Sequence, residues 1–140
     1  GDVYKRQVPY LSKEALNWFV MSDFAKEFWK QPDKLHRESQ FSSLVNASEL
    51  FSDFSDPSAK ILVHGTVDGY FEAKDGLVLF DYKTDFVDKT NEEQAIEKIK
   101  QKYTGQLRLY EQALNEMNND KKVIGKYLIL LDARKVVPVD

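Results

Sequence analysis

Apolar side chains recur every three to four residues between positions 11 and 30, the spacing of one face of an α-helix. Ser12 is the candidate N-cap of this helix, and Pro32 stops it. The predicted apolar stripe consists of Leu16, Phe19, Val20, Phe24, Phe28 and Trp29. Residues 35–46 are predicted to be extended, and the turn-forming residues at 51–59 predict an exposed loop.

Two strands are predicted next, over 61–72 and 77–84, joined by a loop at 73–76. Asp75-Gly76 between two strand-like runs is typical of a hairpin. A long helix should follow over 91–118, with Asn91 as its cap and Asn118, Asn119 and Asp120 at its end. Its predicted apolar stripe is Ala95, Ile96, Ile99, Tyr103, Leu107, Tyr110, Leu114 and Met117. A final strand is predicted over 123–131.

Alternation along the hairpin places three chemically active side chains on one face. A loop at 73–76 pairs Glu72 with Leu77 and therefore Asp68 with Asp81, whereas a shifted turn would set Asp68 opposite Lys83. Either register puts Asp68, Asp81 and Lys83 on the same side. The opposite face is predicted to be core and to carry Ile61, Val63, Val67, Phe71, Val78, Phe80 and Tyr82.

Two carboxylates facing each other across a strand pair repel. At about 5 Å and an effective dielectric near 20, the repulsion is roughly 3 kcal/mol. Any of three partners can offset this repulsion: a shared proton, the ammonium of Lys83, or a divalent cation. Clustered oxygen ligands favour Mg²⁺, with Mn²⁺ as an alternative. A plain salt bridge from Lys83 to either aspartate is the structural interpretation of the same pattern.

Composition narrows the classes of site. The 140 residues correspond to one domain, and 42% hydrophobic residues supply a core. With no cysteine, disulfides, thiolate zinc sites and iron–sulfur clusters are excluded, and two histidines cannot build a histidine-rich metal site. No signal peptide or membrane span is recognisable, so a cytoplasmic domain is expected. The net charge is −3, and the basic runs at 98–108 and 121–126 are typical of solvated faces.

Three motifs together resemble the RecB-family nucleases of the PD-(D/E)XK superfamily. They are VHGTVDGYF at 63–71, DGLVLFDYKTD at 75–85 and QLRLY at 106–110, and RESQF at 37–41 is similar to the Arg-Glu-x-Pro-Phe segment that precedes them in the family. The likeness covers the chain from about residue 11 and is strongest to the C-terminal nuclease domain of helicase–nucleases of the AddA (RexA) type. It implies an α/β (α+β) fold with a restriction-endonuclease-like core, in which helices flank a central mixed sheet with an antiparallel hairpin.

The resemblance implies a role for each residue that matches a motif. Asp68 and Asp81 would hold the metal, the Tyr82 backbone carbonyl would be a further ligand, and Lys83 would be the catalytic lysine. Supporting roles fall to Glu38, Gln106 and Tyr110, although core contacts explain Tyr110 equally well. His64 shares the predicted face as a hydrogen-bonded strand histidine.

The implied function is Mg²⁺-dependent exonuclease action on DNA, within an ATP-dependent helicase–nuclease that repairs double-strand breaks by recombination. Its partners would be single-stranded DNA ends, the helicase part of the parent chain and a second, AddB/RexB-like subunit, with no membrane. Residues 1–10 would be an extension of unknown role, and 11–140 the nuclease domain, a fragment of the longer enzyme. The absence of a phosphate-binding Gly-x-x-x-x-Gly-Lys-Ser/Thr loop argues against ATP binding here.

Two departures from the family pattern keep an alternative open. Gln40 stands where relatives have proline, and no histidine precedes His36 to serve as the upstream metal ligand that many relatives possess. The alternative is a catalytically incomplete module that binds DNA or a partner subunit. An unrelated hydrolase that uses the two aspartates as acid and base is a third interpretation, in which Lys83 and the QLRLY helix would be coincidental.

Overall fold

Five strands form one mixed sheet in the computed structural model, which describes residues 13–50, 56–118 and 120–140. The strands are β1 Leu35–Asn46, β2 Lys60–Glu72, β3 Leu77–Lys83, β4 Val123–Leu130 and β5 Lys135–Val139. They lie side by side in chain order; β3 and β4 are parallel and the other neighbours antiparallel. The mixed sheet, its antiparallel hairpin and the flanking helices confirm the predicted fold class. Ser12, residues 51–55 and Asn119 carried predictions that lie outside the described residues.

The N-terminal segment forms two helices where the periodicity predicts one. They are α1 Lys13–Met21 and α2 Asp23–Lys30. Ser22 interrupts them: its backbone is extended, its hydroxyl donates to the Phe19 carbonyl at 2.6 Å, and its Oγ accepts from the Ala25 N–H at 3.3 Å. A serine in this conformation caps the following helix. The prediction of one continuous helix was therefore wrong.

Only part of the predicted N-terminal stripe faces the core. Phe19 and Phe28 are buried, whereas Leu16, Val20 and Trp29 are exposed. The kink at Ser22 changes which residues the two helices present to the sheet. Phe19, Phe28 and the alanines near them pack on one face of the sheet against Phe71, Phe80, Ile129 and Leu131.

The hairpin has the predicted register. Glu72 pairs with Leu77, and the ladder continues through Gly69 and Phe80. Gly69 is required there, since a Cβ at that position would lie 2.2 Å from the Phe80 ring. The Phe80 ring thus covers bare backbone on the neighbouring strand.

A long helix, α4 Glu92–Met117, connects β3 to the parallel strand β4 and covers the other face of the sheet. A short helix, α3 Ala47–Leu50, and 3₁₀ turns at Pro32–Lys34 and Lys89–Asn91 complete the structure. The buried core beneath α4 comprises Val67, Leu77, Leu79, Val87, Ile99, Leu107, Ala113, Leu114, Leu128, Leu130, Val137 and Val139.

Both ends of α4 differ in detail from the prediction. Asn91 occupies the N-cap position, but its side chain makes no capping bond. Its side-chain amide instead donates to Gln94 Oε1 at 2.8 Å. Asp88 supplies a cap one turn earlier, by accepting from the Thr90 N–H at 3.0 Å. Met117 is exposed, because the helix ends beyond the edge of the buried cluster.

The predicted core face of the hairpin is correct for β3 and, on β2, for Phe71. Phe71, Phe80, Val78 and Tyr82 lie together under α1 and α2, as predicted. Ile61 and Val67 belong instead to the cluster beneath α4, so their assignment to the same face was wrong. The β1–β2 ladder skips the pair Glu38 and Asp68, and Glu38 has a φ of 50°. Alternation therefore does not carry through this point. The Val63 side chain lies outside the described residues.

The strand β5 was not predicted. It pairs with β4 at the edge of the sheet, where Pro138 is tolerated because an edge strand needs fewer N–H donors. No helix within the described ranges has the length and apolar character that a membrane crossing requires.

Candidate active site

The end of the β2–β3 ladder brings Asp68, Asp81 and Lys83 together. Regular pairing stops at Gly69 and Phe80. At the next position, Oδ2 of Asp68 accepts the backbone N–H of Tyr82 at 2.9 Å. The Asp81 carboxylate is adjacent to that of Asp68, and its Oδ2 lies 2.8 Å from Lys83 Nζ. The three side chains that alternation placed on one face are thus in direct contact.

Asp81 is the buried member of the pair, with 4% of its surface exposed. Burial, followed by the adjacent Asp68, raises the pKa of Asp81 from 3.8 to about 7, although Lys83 pulls it down. Desolvation and a like charge thus outweigh the single lysine. Without a cation, Asp81 therefore holds its proton more tightly than an ordinary aspartate does. Of the three partners that the sequence left open, Lys83 is in contact with Asp81; the shared proton and the cation stay predictions.

Lys83 is held by three groups. Besides Asp81, its Nζ donates to Gln106 Oε1 at 2.9 Å and lies 4.0 Å from the centre of the Tyr103 ring. Only 15% of the lysine side chain is exposed. An ammonium over an aromatic face is attracted by the ring quadrupole, most strongly where water is excluded. The lysine is therefore fixed beside the carboxylates.

Tyr103 and Asp85 were missed as site residues. The Tyr103 hydroxyl donates to both oxygens of Asp85, at 2.9 and 3.0 Å, and Lys102 Nζ lies 3.0 Å from the same carboxylate. These contacts fix the ring on which Lys83 rests. Tyr103 belongs to the predicted apolar stripe of the helix, and spacing alone does not distinguish a site residue from a core residue there. A tyrosine on the helix turn before Gln106 was the available signal.

Gln106 and Tyr110 project from α4 toward the carboxylates, four residues apart on one side of the helix. Burial raises the pKa of the Tyr110 hydroxyl, the charges of Asp81 and Asp68 raise it further, and a hydrogen bond with Gln106 lowers it. Tyr110 also packs against the core beneath α4. Tyr110 therefore belongs to the core and also borders the site, and its supporting role stays a prediction.

A cavity of about 640 Å³ opens beside the carboxylates and is lined by Arg37, Glu38, Asp68 and Tyr82. Glu38 is exposed, and within the described residues it forms no ion pair with Arg37. Its φ of 50° lies in the left-handed region that non-glycine residues seldom adopt and that occurs often at functional sites. Glu38 thus borders the site without contacting Asp81.

The sequence analysis also named Tyr82 and His64. The Tyr82 ring packs edge-on to Phe19 at 5.3 Å on the far face of the sheet, and only the Tyr82 backbone reaches Asp68. The Tyr82 carbonyl as a ligand stays a prediction. His64 is exposed on β2, opposite Ser42.

The donor set fits a hard cation that keeps much of its water. No group of three or more histidine, aspartate or glutamate side chains is assembled within the described ranges. Mg²⁺ is commonly bound through one or two carboxylates, with water and substrate phosphate oxygens completing the octahedron. Asp68 and Asp81 supply such a pair, and their unfavourable proximity is what a cation would relieve.

Several relatives of the chain share one name, the A subunit of an ATP-dependent helicase/nuclease. Over all 140 residues, the chain is 93% identical to the protein of this name from Lactobacillus gasseri and 81% identical to the one from Lactobacillus johnsonii. A further relative, from Levilactobacillus brevis, is 41% identical over 129 residues, or 92% of the chain. The chain is thus similar to a segment of helicase/nuclease proteins of this type.

The similar segment is a small share of each relative. It spans 12% of the Lactobacillus gasseri and Lactobacillus johnsonii proteins and 10% of the Levilactobacillus brevis protein. No protein-family model matches the chain. The names of these relatives contain both an ATP-dependent helicase and a nuclease activity.

Proposed function

We propose that this chain is the nuclease segment of an ATP-dependent helicase/nuclease, and that it hydrolyses phosphodiester bonds of DNA at Asp68, Asp81 and Lys83. The contact among these three side chains is the observation that carries the proposal. Of the two activities in the relatives' name, nuclease action suits a carboxylate pair with an adjacent lysine. ATP-driven unwinding requires a phosphate-binding loop that the sequence lacks.

Each residue has a task in the proposed reaction. Asp68 and Asp81 would hold Mg²⁺, or Mn²⁺ in its place, and the bound ion would supply Lewis acidity toward a phosphoryl oxygen and a water of lowered pKa. Lys83 would stabilise the charge that develops on the phosphate, because its ammonium is already desolvated and oriented. Gln106 and the Tyr103 ring keep that ammonium in place.

The wider role is part of the same proposal and is supported by the name of the relatives. A helicase in the parent chain would deliver single-stranded DNA ends to this site, and a second protein chain would complete the enzyme. The work of such an enzyme would be end-processing during recombinational repair. Base sequence is not expected to matter, since the described site presents carboxylates and amines rather than a groove-reading element.

Digestion of end-labelled single-stranded DNA tests the proposal. The 140-residue chain and the full-length protein that contains it are each compared with Asp81→Asn and Lys83→Met variants, with Mg²⁺ and with EDTA. We expect Mg²⁺-dependent cutting by the wild type and a loss of at least about 100-fold in both variants, the scale of losing a preorganised charge-stabilising group. Lys74→Met, at an exposed position in the hairpin loop, is the matched control and should cut normally. Undiminished cutting by both active-site variants would refute the proposal.

A binding module without catalysis is the second candidate, and one observation favours it. Only two carboxylates meet at the site, and no third ligand side chain joins them within the described residues. On this alternative, the full-length enzyme would cut DNA equally well with Asp81→Asn, while assembly or DNA retention would depend on other surfaces of the chain.

A further inference from the structure

The exposed side of α4 is unusual for a chain with a net charge of −3. Over residues 98–110 there are four basic residues and no aspartate or glutamate. Lys98, Lys102 and Arg108 are all exposed and fall on one side of the helix. Within the described residues, Lys98 and Arg108 have no ion-pair partner. These residues form a band of positive charge along α4 that begins near the site at Lys102, whose neighbour Tyr103 contacts Lys83.

Gly105 lies in the middle of this band. A glycine inside a helix is less favourable than alanine, because it loses more backbone freedom on folding. Neither usual reason for a glycine applies: its φ is not positive, and a Cβ there would meet nothing within 4 Å. The fold does not require Gly105. The space beside it is open to close approach from outside the described structure.

Phe86 adds an aromatic surface at the edge of the same band. It is 79% exposed, although both of its neighbours are fixed. Asp85 is bound by Lys102 and Tyr103 of α4, and Val87 is buried, with its N–H donating to Asp132 Oδ2 at 3.0 Å. The backbone on either side thus holds the Phe86 ring outward, three residues after Lys83. The backbone around Phe86 is therefore already positioned before a ligand binds.

We propose that Phe86 and the exposed side of α4 form a track for single-stranded DNA, in which a base stacks on Phe86, the sugar–phosphate backbone runs past Lys98, Lys102 and Arg108, and Gly105 permits close approach. Single-strand binders combine a positive surface with aromatic side chains on which bases stack. Lys100 and Lys102 have acidic neighbours in Glu97 and Asp85, whereas Lys98 and Arg108 lack one among the described residues and are available to phosphates. The inference rests on the proposed nuclease function and names the surface that would feed it.

Binding of a fluorescein-labelled oligothymidylate to the 140-residue chain in EDTA tests the track. Phe86→Ala should weaken binding by at least about fivefold and Phe86→Tyr should restore it, because stacking requires only an aromatic face. Met21→Ala removes an equally exposed apolar side chain on α1 and should bind normally. Lys98→Gln and Arg108→Gln should each lower the slope of log Kd against log salt by about 0.7, whereas Lys74→Gln should not.

Gly105 gives the sharpest contrast, since stability and binding should move in opposite directions. Gly105→Ala and Gly105→Leu should raise the Tm, because both residues favour helix more than glycine does. Both should weaken oligothymidylate binding, with leucine the more harmful. A lower Tm would mean that the fold itself needs this glycine and would overturn the inference.

The remaining outcomes separate this inference from the proposed function. The track is wrong if the wild type does not bind oligothymidylate, or if the Phe86 and Gly105 variants bind as well as the wild type while cutting still depends on Asp81. It is also wrong if those variants bind DNA normally but no longer assemble with the rest of the enzyme, since the surface would then dock protein. If the Asp81 and Lys83 variants cut DNA as well as the wild type does, the proposed function is wrong, whether or not the track binds DNA.

Discussion

Replacing Asp81 with asparagine should stabilise the metal-free chain, and increasingly so as the pH rises. The substitution keeps the shape of the side chain and an acceptor for Lys83 but removes the charge that burial and Asp68 penalise. A carboxyl group whose pKa is higher in the folded state binds its proton more tightly there. Wild-type stability therefore falls as the pH rises from about 4 to about 7, and asparagine escapes that fall.

The magnitude follows from the pKa of Asp81. A rise from 3.8 to about 7 is equivalent to roughly 4 kcal/mol of unfolding free energy. The attraction of Lys83 is already included, because it acts on the same carboxylate. Below about pH 4 the wild type and Asp81→Asn should be nearly equal in stability, and above about pH 7 the variant should exceed the wild type by most of that 4 kcal/mol.

Urea denaturation in EDTA, followed by tryptophan fluorescence near pH 4 and near pH 8, measures this difference. Asp75→Asn is the matched control, since it removes an exposed aspartate from the same hairpin and should change stability little at either pH. If Asp81→Asn instead destabilises the chain, and by more at high pH, the Asp81–Lys83 pair is a stabilising salt bridge and the reasoning about repulsion is refuted.

Three further outcomes are expected. Mg²⁺ should raise the Tm of the wild type in calorimetry, because a ligand that binds only the folded state stabilises it, and should leave Asp81→Asn almost unchanged. Tyr103→Phe should retain more DNA-cutting activity than Tyr103→Leu, because phenylalanine keeps the ring under Lys83; equal activity of the two variants would deny the ring a role. Gly69→Ala should cost about 1 to 3 kcal/mol in urea denaturation, because its methyl group collides with the Phe80 ring; a neutral effect would contradict that contact.

The hairpin and its site were predictable because local rules determine them. Asp75-Gly76 fixes the turn, the turn fixes the Glu72–Leu77 pair, and alternation then brings Asp68 and Asp81 to one side. The α4 segment was equally clear from its period. In each case the signal extends over several consecutive residues.

The misses arise where one residue outweighs a longer pattern. The apolar period runs on through Ser22, so only the capping chemistry of that serine marks the break between α1 and α2. The β1–β2 ladder is interrupted where Glu38 has a φ of 50°, and next to this point Val67 lies in the other core. A short edge strand that contains Pro138 gives too weak a pattern for prediction.

Long-range contacts were beyond sequence reasoning without the family resemblance. Lys83 and Gln106 lie 23 positions apart, and spacing along the chain does not show that α4 returns to cover β3. The motif order suggested Gln106, but it gave no reason to look at Tyr103 or Asp85. Both act through an aromatic ring that a hydrophobicity pattern counts simply as core.

The central claim is that Asp68 and Asp81 hold one divalent cation beside Lys83. Backbone amide NMR spectra of the 140-residue chain during titration with Mn²⁺ test it directly, because the paramagnetic ion broadens signals near its site. We expect early, selective broadening of the amide signals of Asp68, Asp81 and Tyr82, and its loss in Asp81→Asn. Selective broadening centred on the acidic start of α4 at Glu92 and Glu93, or none at the aspartate pair, would contradict it.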